Sequence, residues 1–219
     1  MIDPPVLGHL MPWLARLALI LAMIGAVALA RRRAEYRPIA ALLVFLGFAN
    51  AARSILNELV FQPAIRAGRL PFHGGERAAF HVEEGLFLSW PFGVAGLAVA
   101  VFLSKRRWPI VAAAYAAAVA VLVAKYPAIR QDLLAEVYLY LTLGCLVVAA
   151  GALAWRWHRR IPLSPPEITT FLFVTFLLAT VLGPYTLGRV DTGWSLGAGL
   201  FAGMYGAIAV MEVAWLRRP

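Results

Sequence analysis

The chain reads as an all-α polytopic membrane protein, a single domain of seven transmembrane helices over residues 1–219. Three observations carry this expectation. Hydrophobic residues make up 62% of the sequence and charged residues 14%, with a mean hydropathy of +0.78, outside the range of soluble globular domains. Apolar runs of about 20 residues, the length that crosses roughly 30 Å of hydrocarbon at 1.5 Å per residue, can be placed seven times. The basic residues stand in short blocks between those runs.

The runs cover 7–30, 38–61, 80–103, 108–124, 133–155, 167–186 and 193–216. The first is followed, not preceded, by Arg31, Arg32 and Arg33, which distinguishes it from a secretory signal peptide and predicts a retained helix. After the second comes the one long connection, 62–79, where "PAIRAGRLPFHGGE" argues against helix throughout and Gly74 and Gly75 suggest a hinge. The third run opens with "FHVEEGLFLSWPFG" and the fourth is the shortest. The fifth carries Cys145, the only cysteine, so no intrachain disulfide forms and the residue reads as core. The sixth starts at "SPPE", with Ser164 as N-cap, Pro165 first in the helix and Glu167 closing a capping box. In the seventh, Gly199, Gly203 and Gly206 predict close approach of a neighbouring backbone.

The net charge of +9 reports topology rather than nucleic-acid binding, because the basic residues cluster at helix ends. Arg31, Arg32, Arg33, Arg37, Lys105, Arg106, Arg107, Arg156, Arg159, Arg160, Arg217 and Arg218 fall on one side; Arg66, Arg69, Arg77, Lys125, Arg130 and Arg189 fall on the other. The denser, compact side is cytoplasmic by the positive-inside rule, so the N-terminus lies outside and the C-terminus inside, consistent with an odd number of spans. A faint echo between the third and seventh runs suggests two three-helix units joined by the fourth, a 3+1+3 plan. The expected location is a bacterial inner membrane.

An ionisable side chain in hydrocarbon costs about 2.5 kcal/mol or more and is a functional hypothesis by default. With the orientation fixed, most such groups fall in the outer halves of the helices. The second helix offers Asn50, Arg53 and Asn57 on one face, with Ser54 and Glu58 beside it. The third offers His81, Glu83 and Glu84, and the fifth Asp132, Glu136, Tyr138 and Tyr140, with Glu136 and Tyr140 sharing a face. Tyr185, Arg189 and Asp191 follow at the outer end of the sixth, and Arg16 snorkels from the first. Only Glu167 and Glu212 lie near the cytoplasmic interface.

On the third helix Arg77, His81, Glu84 and Leu88 form one stripe, while Glu76, Phe80, Glu83, Phe87 and Trp90 form another roughly 100° away. The two adjacent carboxylates therefore have different surroundings. One of them, Glu83 or Glu84, is expected to pair with Arg53, leaving the other to act as an acid against aromatic walls. The candidate site is thus Glu83, Glu84 and His81 as catalytic groups, supported by Arg53, Asn57, Glu58, Asn50, Phe87, Trp90, Glu136 and Tyr140.

The segment "HVEEGLFLSWPF", through Glu83, Glu84, Phe87 and Pro91 together with the seven-helix plan, resembles the membrane-embedded lycopene cyclases. His81 stands where that family has a proline and Leu88 where it has a second aromatic, and the family's second motif copy is missing. The resemblance implies carboxylates that protonate a polyene end group, a base that removes a proton after ring closure, and no redox change. No cofactor is expected: there is no dinucleotide or phosphate loop, and no metal-ligand spacing such as H-E-x-x-H. Lys105 and Lys125 lie at helix ends, where they cannot carry a retinal Schiff base. The expected partners are the lipid bilayer, an apolar lipid-like substrate or a small solute, and a second copy of the chain as a homo-oligomer; nucleic acid is not expected.

The leading reading is an intramembrane acid–base isomerase or cyclase acting on an apolar isoprenoid such as a carotenoid end group. Two alternatives use the same polar cluster differently. One is a transporter, channel or receptor that binds a small solute or relays protons; the other is a non-catalytic membrane subunit.

Overall fold

The computed structural model describes residues 4–104, 107–125, 131–186 and 193–217, the side chains at 4–9, 11, 131, 132, 135, 180–186 and 193–199 excepted. Among the described residues the chain forms seven helices and no strand. They are α1 (Pro4–Arg32), α2 (Ala34–Arg66), α3 (Gly74–Leu103), α4 (Trp108–Lys125), α5 (Gln131–His158), α6 (Pro165–Thr186) and α7 (Gly193–Leu216). Five stretches, in α1 to α5, are long and apolar enough to cross a membrane, and α6 and α7 contain shorter apolar helices within the described residues.

The long connection is shorter than its prolines and glycines suggest, because α2 runs on to Arg66 and α3 begins at Gly74. Pro63 comes two residues after a widened π turn, Asn57–Phe61, the kind of local adjustment that lets a helix absorb a proline. The stop is a Schellman motif at Gly68, whose φ is +69°: Gly68 N–H donates to the Ile65 carbonyl and Arg69 N–H to the Ala64 carbonyl. On the far side Glu76 sits in the first turn of α3, where the helix dipole favours an acid. Arg69 reaches across to it at 3.0 Å, above a cluster of Phe61, Phe72 and Phe80. Hydropathy marks where α3 enters hydrocarbon, not where it starts.

Helix α3 is the hub, packed against α2, α4, α5 and α6, while α1 lies along α7. Close approach is built into α3 by glycine: a Cβ at Gly96 would meet Ala114 Cβ at 2.9 Å and Val111 Cα at 3.1 Å on α4. The expected glycine seam on α7 is not found at its described members. A Cβ at Gly203 or Gly206 would have open space, and the Gly199 side of the stripe lies outside the described residues. It is Gly25 on α1 that lets α7 approach, since a Cβ there would overlap Glu212.

The α5–α6 connection is tied as the capping box predicts, with an addition. Glu167 Oε2 accepts the Ser164 N–H at 2.8 Å, and Oε1 pairs with Arg156 of α5 at 2.8 Å. Arg156 also donates to the Pro162 carbonyl. α5 itself ends in a second Schellman pair, Arg160 N–H to Trp157 and Ile161 N–H to Arg156, which holds Arg160 at φ +52°. Glu167 is therefore a cap and a helix tie.

Candidate functional site

The site begins with a defect in α3. Pro91 has no N–H to offer the turn before it, and the helix breaks at Ser89 between Gly74–Leu88 and Trp90–Ala98. Phe92 and Gly93 both donate to the Ser89 carbonyl, which leaves the Leu88 carbonyl without its usual partner four residues on. Tyr138 of α5 supplies it, donating its hydroxyl to Leu88. Tyr115 of α4 donates to the Leu86 carbonyl at 2.8 Å, and Ser89 Oγ folds back onto Gly85. In hydrocarbon a freed carbonyl must find such partners, so the kink recruits two tyrosines from neighbouring helices.

Just before the kink, α2 brings Arg53 against α3. Its Nε lies 2.7 Å from Glu83 Oε1, with the two side chains 29% and 9% exposed. The guanidinium also sits 4.7 Å from the centroid of Phe87, one turn after Glu83, so a single cation is held by a carboxylate and a ring face. Of the two carboxylates, then, Glu83 is the one paired with Arg53. Glu84 is half-buried, lies within electrostatic reach of Glu83, Arg53 and Tyr138, and has no hydrogen bond or ion pair among the described residues. His81 is half-buried two residues before Glu83, and Asn57, half-buried, opens the π turn after Arg53.

Other expected members stand apart. Asn50 is exposed and its amide donates to the Leu46 carbonyl of its own helix. Glu58 is exposed: the wider turn that starts at Asn57 ends the α-helical spacing that placed it beside Arg53. Glu136 is exposed and Tyr140 is 70% exposed, because α5 turns the face of Tyr138, Thr142, Cys145 and Ala149 inward instead. Trp90 is separated from Phe87 by the break at Ser89; its ring packs on Phe176 and Phe201, on α6 and α7. The side chains of Asp132 and Tyr185, and Arg189 and Asp191 entirely, lie outside the described residues.

Tyr115 is a site residue that the sequence does not point to, and Tyr138, named among the outer polar groups of the fifth run, joins the site in place of Glu136 and Tyr140. The signal for Tyr138 was present in the spacing of Tyr138, Thr142 and Cys145, three and four residues apart. Nothing in α4 singled out Tyr115, a buried tyrosine in an alanine-rich helix. Together, Arg53, Glu83, Glu84, Phe87 and Tyr138 form a fixed charge pair beside an unpaired acid, with aromatic rings on both sides: Phe87 by Arg53, and Phe92 edge-on to Tyr138 at 6.0 Å. Such a group can move a proton at Glu84 while the Arg53–Glu83 charges remain balanced. Among the described residues no three His, Cys, Asp or Glu side chains gather as a metal-ligand set. Comparison with protein-family models, with curated proteins and with solved structures finds no match to this chain.

Proposed function

We propose that this chain is an intramembrane acid–base enzyme, an isomerase or cyclase that acts on an apolar isoprenoid such as a carotenoid end group. Seven spans in a 3+1+3 order, an outside N-terminus and a cytoplasmic C-terminus in a bacterial inner membrane go with this reading. The observation that carries it is the division of labour between adjacent carboxylates: Glu83 is held by Arg53, and Glu84 is left unpaired on the neighbouring face. Glu84 is the acid that protonates a double bond. Phe87 and Phe92 tolerate the cation that results, and a base, His81 or the same carboxylate, takes the proton back. Arg53 holds Glu83 in the ion pair and fixes the register of α2 on α3.

The test is expression in a lycopene-accumulating bacterial host, with membrane insertion verified by immunoblot and pigments resolved by chromatography. A cyclised carotenoid is expected from the wild type, none from Glu84→Gln, and wild-type conversion from Tyr140→Phe. Unchanged lycopene beside well-inserted wild-type protein defeats the carotenoid assignment. Full conversion by both Glu83→Gln and Glu84→Gln defeats the acid–base mechanism itself. A fluorescent fusion at the C-terminus, expected to be bright in the cytoplasm, checks the orientation.

A further inference from the structure

The seam between α1 and α7 is closed by one stripe from each helix, Leu19, Ala22, Ala26 and Leu29 facing Tyr205, Ile208, Glu212 and Trp215. Glu212 is out of keeping with the rest. It is 1% exposed, and both its carboxyl oxygens are buried with no hydrogen-bond partner among the described residues. Its seat is cut by a missing side chain: a Cβ on Gly25 would overlap Glu212 Oε2 and stand 3.1 Å from Glu212 Cβ.

Among the described residues no balancing charge faces this seat. On α1 the neighbours are Ala22, Ala26 and Leu29, and the arginines begin only beyond Ala30, where Arg32 donates to the Leu216 carbonyl at 3.2 Å. On α6 the acid, Glu167, is engaged by Arg156 and Ser164, and the buried polar residues beyond it among those described are Thr169 and Thr170. The head of α2 contributes Tyr36, whose ring lies against Trp215. On α7 itself the other polar group of the stripe is Tyr205. A carboxylate walled in by apolar atoms with no cation at hand is far costlier than the neutral acid.

We propose that Glu212 is a proton-binding site of the bundle, separate from the Arg53–Glu83–Glu84 group. The closed α1–α7 seam holds it as the carboxylic acid, and the proton is exchanged with the cytoplasmic side only when α7 moves off Gly25. The ligand is a proton and not a metal ion, because no other oxygen or nitrogen donor of the described residues reaches the carboxyl.

Dicyclohexylcarbodiimide, which partitions into bilayers, tests this on the full chain in lipid nanodiscs. Its nitrogen takes the proton of a neutral carboxyl while the carboxylate oxygen adds to the central carbon. The adduct then rearranges to a stable N-acylurea, so the whole reagent stays on the protein and nothing leaves. Mass spectrometry of the C-terminal peptides is expected to show one adduct at Glu212, absent in Glu212→Gln and retained in Glu84→Gln, with little labelling by a water-soluble carbodiimide. Glu212→Gln, a neutral isostere, is expected to change the unfolding rate by less than about twofold. Equal labelling by the water-soluble reagent, absence of the adduct from folded wild type, or an unfolding rate of Glu212→Gln raised about tenfold or more each overturns the proposal.

Discussion

Removing Arg53 is expected to damage the bundle more than removing Glu83, and the reason lies in where each charge is left. Coulomb attraction over the 2.7 Å contact at an effective dielectric of about 20 is about 6 kcal/mol. Desolvating Glu83 and ordering two long side chains takes back most of this, leaving a coupling of about 2 kcal/mol. Arg53→Met strands a carboxylate only 9% exposed, at a cost of about 3 kcal/mol. Glu83→Gln strands a cation that is 29% exposed and still rests on Phe87, so its cost is nearer 1–2 kcal/mol. The double variant should therefore lose only about 2–3 kcal/mol, less than the two single losses together. The assay is reversible unfolding in mixed micelles followed by tryptophan fluorescence, completed as a double-mutant cycle. A coupling of about 2 kcal/mol appears as a roughly thirtyfold discrepancy from additivity in the unfolding constant. Strict additivity, or an Arg53→Met protein as stable as wild type, would refute the reasoning, whatever the chain's activity proves to be.

Other substitutions probe other parts of the framework. Gly25→Ala is expected to destabilise by about 1–3 kcal/mol in the same unfolding assay, and Gly25→Ala/Glu212→Ala to recover part of that loss, because the clash is with the carboxyl. Arg160→Gly should stabilise by about 1 kcal/mol, since the position is held at φ +52° where an L side chain is strained; a lower melting temperature would count against the Schellman geometry. Tyr138→Phe should cost about 1 kcal/mol and increase hydrogen exchange at the α3 kink, whereas Tyr140→Phe should be silent on both readouts. Loss of the Glu167 cap in Glu167→Ala should cost about 1–2 kcal/mol, and exchange protection should fall first at the start of α6.

What was legible in the sequence is what depends on local chemistry or on bulk hydropathy. The start of α6 could be read from "SPPE" because a capping box is satisfied within four residues. The meeting of Arg53 with an acid of α3 could be read from their matching depth in consecutive antiparallel runs. What could not be read is rotational phase. The π turn at Asn57 and the break at Ser89 each reset the helix, so Glu58 and Trp90 left the faces that regular spacing assigned them. On α5 the choice between the Glu136–Tyr140 face and the Tyr138 face is made by the freed Leu88 carbonyl on another helix, which no single-helix pattern contains. Gly25 was passed over for the same reason, since its importance lies in a carboxyl on α7.

The pairing of α1 with α7 sets a schedule for the chain's synthesis. Arg32 and its acceptor Leu216 are 184 residues apart, so at roughly 5–20 residues per second the ribosome needs on the order of 10–40 s to deliver the partner. Throughout that interval the small-residue groove of α1, Ala22 to Ala26, lacks its α7 partner, while α3 can already pack against α2 and α4. Docking of α7 on α1 then carries Glu212 into its seat at Gly25.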